Sequence, residues 1–175
     1  MKILDNGYVF VERPDWDPQV DYPSAQVRRP ADEVYLHHSV TTPTSDPCAD
    51  ARRLEAILDA RGLDGYNYLI HPTGVVIEFA GERRGEHTYG TNSDSYGFCF
   101  IGNYQFQQVT LAAIVACSRT VNLMRLKGDL VPELNNLQIL HHRDVRGTLC
   151  PGDNNQNING KPLKDWVRWF AGTAA

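Results

Sequence analysis

Apolar and polar positions alternate over Glu33–His37, with Val34 and Leu36 set against Glu33, Tyr35 and His37, and this period of two predicts a β-strand. The pattern then changes to helical spacing. Asp46-Pro47 supplies an N-cap and a proline at the first helical position, Leu54, Ile57 and Leu58 share one face, and Gly62 stops a helix running to about Arg61. Tyr68–Ile70, the turn Pro72-Thr73-Gly74 and Val75–Phe79 predict a β-hairpin. The polar stretch from Gly81 to Tyr96 carries no clear element. Gly97–Gly102 is a short, continuously apolar run, which places it centrally in a sheet. Thr110 caps a long helix to Lys127, stopped by Gly128. A strand over Gln138–His141 follows, and a last helix begins at Pro162 with Leu163, Trp166, Val167 and Phe170 at helical spacing. Residues 1–32, rich in Pro, Asp and Arg, predict an extended wrapping segment with a short strand at Tyr8–Val11, ahead of a main domain at 33–175. Strands and helices interleave without repeats, so the predicted class is α/β, a sheet flanked by helices.

Composition narrows the choice of function. With 175 residues, 42 % apolar and 22 % charged, the chain is long enough for one ordinary core. The net charge of −4 comes without a basic block, which argues against nucleic acid as a partner. No apolar run approaches the ~20 residues of a membrane span. Met1–Gly7 lacks the apolar stretch of a secretory signal, so the expectation is synthesis in a cytoplasm without a signal peptide. Cys48, Cys99, Cys117 and Cys150 have irregular spacing and do not form a disulfide framework; thiols kept reduced remain available to a metal.

The chemistry-bearing residues stand where strands hand over to loops. His37 ends the first strand, His142 follows the strand to His141, and Cys150 comes eight residues later, before Pro151-Gly152. Two imidazoles and a thiolate are a usable zinc set, and three protein ligands leave one tetrahedral position open, as catalytic sites do. Neighbouring strand residues point to opposite faces, so only one histidine of each pair His37-His38 and His141-His142 can face such a site. His141 reads as a satisfied interior residue, Asp144 as a loop-bracing carboxylate, and His71, ahead of a hairpin turn, as exposed and inert. Cys48, Cys99 and Cys117 read as structural. His87 and Asn92, in the long polar loop, are the substrate-contact candidates.

Five motifs in order carry a family resemblance: Val34–Ser39, Gly65–Ile70, the loop from His87 through Asn92 to Gly97–Tyr104, His141-His142-Arg143-Asp144, and Cys150-Pro151-Gly152, with Arg13 and Trp16 ahead of them. Together they resemble the zinc-dependent N-acetylmuramoyl-L-alanine amidases, a group that includes peptidoglycan recognition proteins and bacteriophage endolysins, over roughly residues 13 to 170. The resemblance implies a mixed central sheet with helices on both sides and one zinc ion at the floor of a groove. By motif position it implies His37, His142 and Cys150 as zinc ligands, Tyr66 as the catalytic tyrosine, and Thr148 where members place a group that steadies the oxyanion. His38 is carried over as a substrate contact beside His87 and Asn92. The implied partner is peptidoglycan, cut at the amide between N-acetylmuramic acid and L-alanine, by a monomeric endolysin acting on the wall after release from the host cytoplasm. Two other readings stay open: a module that holds muropeptide without cutting it, and a wall peptidase with Cys150 as nucleophile and His142 as its base.

Overall fold

The computed structural model describes residues 2–4, 8–22 and 25–173. Among the described residues seven strands form one sheet: β1 (Lys2–Leu4), β2 (Tyr8–Val11), β3 (Glu33–His38), β4 (Tyr68–Ile70), β5 (Val75–Glu78), β6 (Ser95–Phe100) and β7 (Gln138–His141). Their spatial order is β1-β2-β5-β4-β6-β3-β7, antiparallel at β1–β2 and β4–β5 and parallel elsewhere. The sheet is therefore mixed. β6 lies between β4 and β3, as its unbroken apolar run requires, and both faces of its strand are buried.

Helix α1 (Pro47–Asp59) covers one face, and α2 (Leu111–Lys127) with α4 (Leu163–Thr173) covers the other. Leu54 and Leu58 of α1 pack with Leu69, Ile77 and Cys99; Leu36, Tyr68, Ile70, Phe98 and Phe100 point the other way, toward Ile114, Val121, Leu163 and Val167. The caps are those the sequence marks: Asp46 accepts from the amides of Cys48 and Ala49, and Thr110 from that of Ala113. Among the described residues no helix is long and apolar enough to cross a membrane.

Several boundaries differ from the sequence pattern. α1 ends at Asp59, and β6 starts two residues early because Ser95 and Tyr96 pair with Glu33 and Val34. In the segment expected to wrap, the strand predicted at Tyr8–Val11 is present as β2, running parallel to β5, and β1, which the pattern does not predict, pairs antiparallel with it. The segment also forms a 3-10 helix at Arg13–Trp16 that the pattern does not predict. Trp16 is fully buried, stacks on Phe79 at 5.4 Å and donates its indole N–H to the Glu78 carbonyl at 2.8 Å. Arg13 lies over the rings of Trp16 and Tyr22 and donates to the Phe79 carbonyl, fastening this segment to the α1 face.

Candidate metal centre and groove

β3 ends at His38 and β7 at His141, side by side and parallel, with Leu36 paired to His141. His142 opens a one-turn helix, α3 (His142–Val145), too short to show helical periodicity in the sequence. The chain then loops back so that the Cys150 carbonyl accepts from the Arg143 amide at 3.0 Å. One ligand atom each from His37, His142 and Cys150 lies within 4.8 Å of the others. Cys150 Sγ is 3.6 Å from His37 Nδ1, while His37 Nε2 meets Thr88 Oγ1 at 3.4 Å. Thr88 thereby orients the ring with its Nδ1 toward the sulfur, as an outer partner does for a metal-bound histidine.

Burial sets the protonation of the group. Burial first, then the neighbouring His87 and His142, holds His37 well below the usual histidine value. His142 is lowered by burial and by Arg146, and burial lowers His87 to about 3. The Cys150 thiol is pushed up to about 11 by burial, against a hydrogen bond from the His38 backbone and the charge of Arg143. The result is two neutral imidazoles and a thiol converging without a counter-charge. That donor set fits zinc, whose charge would favour the thiolate and engage both imidazole lone pairs.

Around it, Leu63, Glu86, His87, Tyr89, Arg146 and Thr148 line a cavity of about 380 Å³ that reaches His142. Tyr66, half-buried, sets its ring 5.1 Å from that of His37. Burial, then the sulfurs of Cys99 and Cys150, pushes its phenol well above the ordinary tyrosine value. Gly65 just before it has φ +79°, and a Cβ there would meet Leu58 Cδ1 at 2.6 Å. Only glycine lets the chain turn so close to α1 and present Tyr66 on the His37 side. Thr148 Oγ1 accepts from the Cys150 amide at 3.2 Å, which shapes the loop beneath the cysteine.

The remaining sequence candidates divide. His87 lies in the groove, its ring 5.4 Å from that of His37. Asn92 lines the same cavity, but its Oδ1 accepts from the amides of His87 and Thr88, so its carbonyl braces the loop. His38 is not brought into this group: paired with Phe100, it turns to the opposite face, where its Nδ1 accepts from the Tyr104 amide at 3.3 Å. His71 is buried, not exposed, and pairs with Thr73 Oγ1 at 2.7 Å, the Thr44 carbonyl at 3.1 Å and Asp50 at 3.4 Å. His141 is fully buried and satisfied by the Lys164 amide and the Gln156 side chain, while Asp144 braces the His141 amide and Lys164 Nζ. Thr88 and Arg146 escape the sequence reading: Thr88 meets His37 of β3 and Arg146 donates to the Tyr89 carbonyl, contacts across the chain that neither spacing nor periodicity records.

The family description N-acetylmuramoyl-L-alanine amidase matches residues 27–153, a stretch that holds Tyr66, Thr148 and the whole His37, His142 and Cys150 set. The chain belongs to the N-acetylmuramoyl-L-alanine amidase family. It is 30 % identical over 152 residues to peptidoglycan recognition protein 1 of Bos taurus, covering 82 % of this chain and 78 % of that protein. Its fold is similar to that of bumblebee PGRP-SA, with a TM-score of 0.75, 29 % identity, and 83 % and 89 % of the two chains covered. A Drosophila PGRP-LB variant in complex with tracheal cytotoxin matches with a TM-score of 0.75 and 25 % identity, covering 83 % of this chain and 89 % of that one.

Proposed function

We propose that this protein is a zinc-dependent N-acetylmuramoyl-L-alanine amidase that frees the stem peptide of bacterial peptidoglycan, working as a monomeric phage endolysin made in the host cytoplasm. The observation that carries the reading is the convergence of His37, His142 and Cys150 within 4.8 Å beside an open groove. These three residues would hold the ion, which when bound supplies a Lewis acid and a water acidified toward a pKa of ~7.

The chain's own groups do the rest. Tyr66, its phenol raised by burial, stays protonated at working pH and serves as a donor, not a base. It is placed to hold the oxygen that gains charge or to deliver a proton to the leaving nitrogen. Thr148, with its oxygen engaged by the Cys150 amide, has its hydroxyl proton free for the same oxyanion. His87 and Asn92 shape the wall along which the stem peptide would lie, and the tracheal cytotoxin in the PGRP-LB complex supports a ligand role for a groove of this fold.

The peptidase alternative loses support from the same geometry. Reactive thiols have depressed pKa values, whereas burial raises that of Cys150, and its sulfur is hydrogen-bonded at 3.6 Å to Nδ1 of His37, not to the His142 ring that this reading takes as base. A purely binding module needs no convergent zinc donors.

The test is digestion of purified sacculi followed by mass spectrometry. Free stem peptides with a new L-alanine amino terminus and uncut glycan strands are expected. Cys150→Ala should lose about one equivalent of zinc by elemental analysis and lose lysis with it. New reducing sugar ends, a new amino terminus inside the stem peptide, or binding without cleavage would overturn the reading.

A further inference from the structure

We propose that Arg143 is a positioning residue for the metal centre, its side chain fixing the loop that presents Cys150 to His37 and His142. The inference rests on the zinc reading above. His37 lies within β3 and His142 follows directly on β7, so the sheet holds both. Cys150 lies in a turn, outside any strand or helix. Gly147 and Leu149 of its loop are exposed, and a Cβ on Gly147 would meet nothing within 4 Å among the described residues. The bond between Thr148 Oγ1 and the Cys150 amide is internal to the loop and cannot anchor it.

Arg143 reaches the loop from outside. Its amide donates to the Cys150 carbonyl at 3.0 Å, its Nη2 to the Leu149 carbonyl, and its Nη1 to Asp153 Oδ1 at 2.8 Å. One residue therefore grips the chain at the ligand, one position before it and three beyond. Asp153 carries the hold onward: its Oδ2 accepts from Gln105 Nε2, and the adjacent Asn154 amide donates to the Tyr104 carbonyl at 3.1 Å. Tyr104 and Gln105 follow the central strand β6, and Arg143 itself adjoins His142, so the cysteine is tied both to the sheet and to the second ligand. The choice of side chain is informative. A guanidinium presents its donors in a rigid fork and can serve two acceptors at once, whereas an ammonium is a point charge on a flexible stem. Charge is the lesser part of the role: burial pushes the Cys150 thiol up to about 11, and Arg143 opposes this only in part. Arg143 is not among the residues that line the groove; it acts through Cys150.

The test is zinc affinity, read by titrating metal-free protein against a competing chelator. Arg143→Ala should keep its fold by circular dichroism and bind zinc about 10–100-fold more weakly, as loss of an outer partner does. Arg143→Lys keeps the charge without the fork and should stay within about threefold of Arg143→Ala. Asp153→Ala should weaken binding by about threefold, as befits an exposed ion pair, and should add nothing in the Arg143→Ala background. Loaded with cobalt(II) to equal occupancy, Arg143→Ala should show a weakened thiolate-to-metal charge-transfer band, a mark of sulfur placement that a general loss of stability does not move. Wild-type affinity in Arg143→Ala, full rescue by Arg143→Lys, or an unchanged cobalt band overturns the inference. If Arg143→Ala does not fold, Asp153→Ala decides, and wild-type affinity there overturns it. A wild-type protein that takes up no zinc brings down the zinc reading itself, and this inference with it.

Discussion

Val40 holds its backbone at φ +57° with its side chain 60 % exposed, three residues past His37. A β-branched residue pays about 1–2 kcal/mol for the left-handed region, and nothing in its own side chain offsets that. The surrounding bonds impose it: the Val40 amide donates to the Gly102 carbonyl at 3.0 Å, and Ser39 Oγ accepts from the Gly102 amide at 3.0 Å. Asparagine tolerates this conformation, so Val40→Asn should raise the melting temperature by about 2–4 °C for each kcal/mol of strain released. A thermal melt with an equal or lower midpoint would show that the site is relaxed. At this scale the sequence is readable in placement where chemistry and order coincide: His37, His142 and Cys150 converge, and Tyr66 stands beside His37. It misleads at His71, because a histidine before a turn looks solvated until Thr44 and Asp50 fold over it from elements far away in the chain.

Among the elements, β6 and the polar loop ahead of it depend on one missing side chain. A Cβ on Gly97 would stand 2.3 Å from His87 Cγ, so the histidine side chain packs directly against the strand backbone. Gly97→Ala should drive His87 and its loop outward and destabilise the fold by about 1–3 kcal/mol, as overpacking does. It should also raise KM more than it lowers kcat, because His87 lines the groove and is not among the convergent donors. An unaltered melt and KM would mean that loop and strand move independently. The helices are legible from caps and spacing, and the central strand from its apolar run. The start of β6 is not, since Ser95 reads as loop while its hydroxyl donates to the Thr91 carbonyl and its backbone pairs with β3. The 3-10 helix at Arg13–Trp16 and the single turn of α3 are invisible because fewer than two turns leave no period to detect.

For the molecule as a whole, buried neutral histidines set the acid limit. Burial lowers His38 and His141 each to about 4, and His87 to about 3. In the unfolded chain these rings protonate near ~6.5, so between that value and about 4 the unfolded state binds more protons. Their contribution to stability is complete above ~6.5 and is lost as pH falls toward the folded values. The melting temperature should therefore decline between pH 7 and 4.5. His38→Asn, which keeps an acceptor for the Tyr104 amide but does not titrate, should flatten that slope; an unchanged slope would assign the loss elsewhere. The parallel pairing of β3 with β7 has a further consequence, in time instead of space. His37 and Cys150 stand 113 positions apart, so a growing chain holds one ligand long before it owns the third. On the zinc reading, an ion would not be captured until the last strand has been synthesised and has docked, which would make it a latch on a finished sheet and not a seed for one. Chelation should then slacken the molecule from its late-made edge: in hydrogen exchange, the amides of β7 and of residues 142–152 should lose protection while those of β4 and β6 keep theirs.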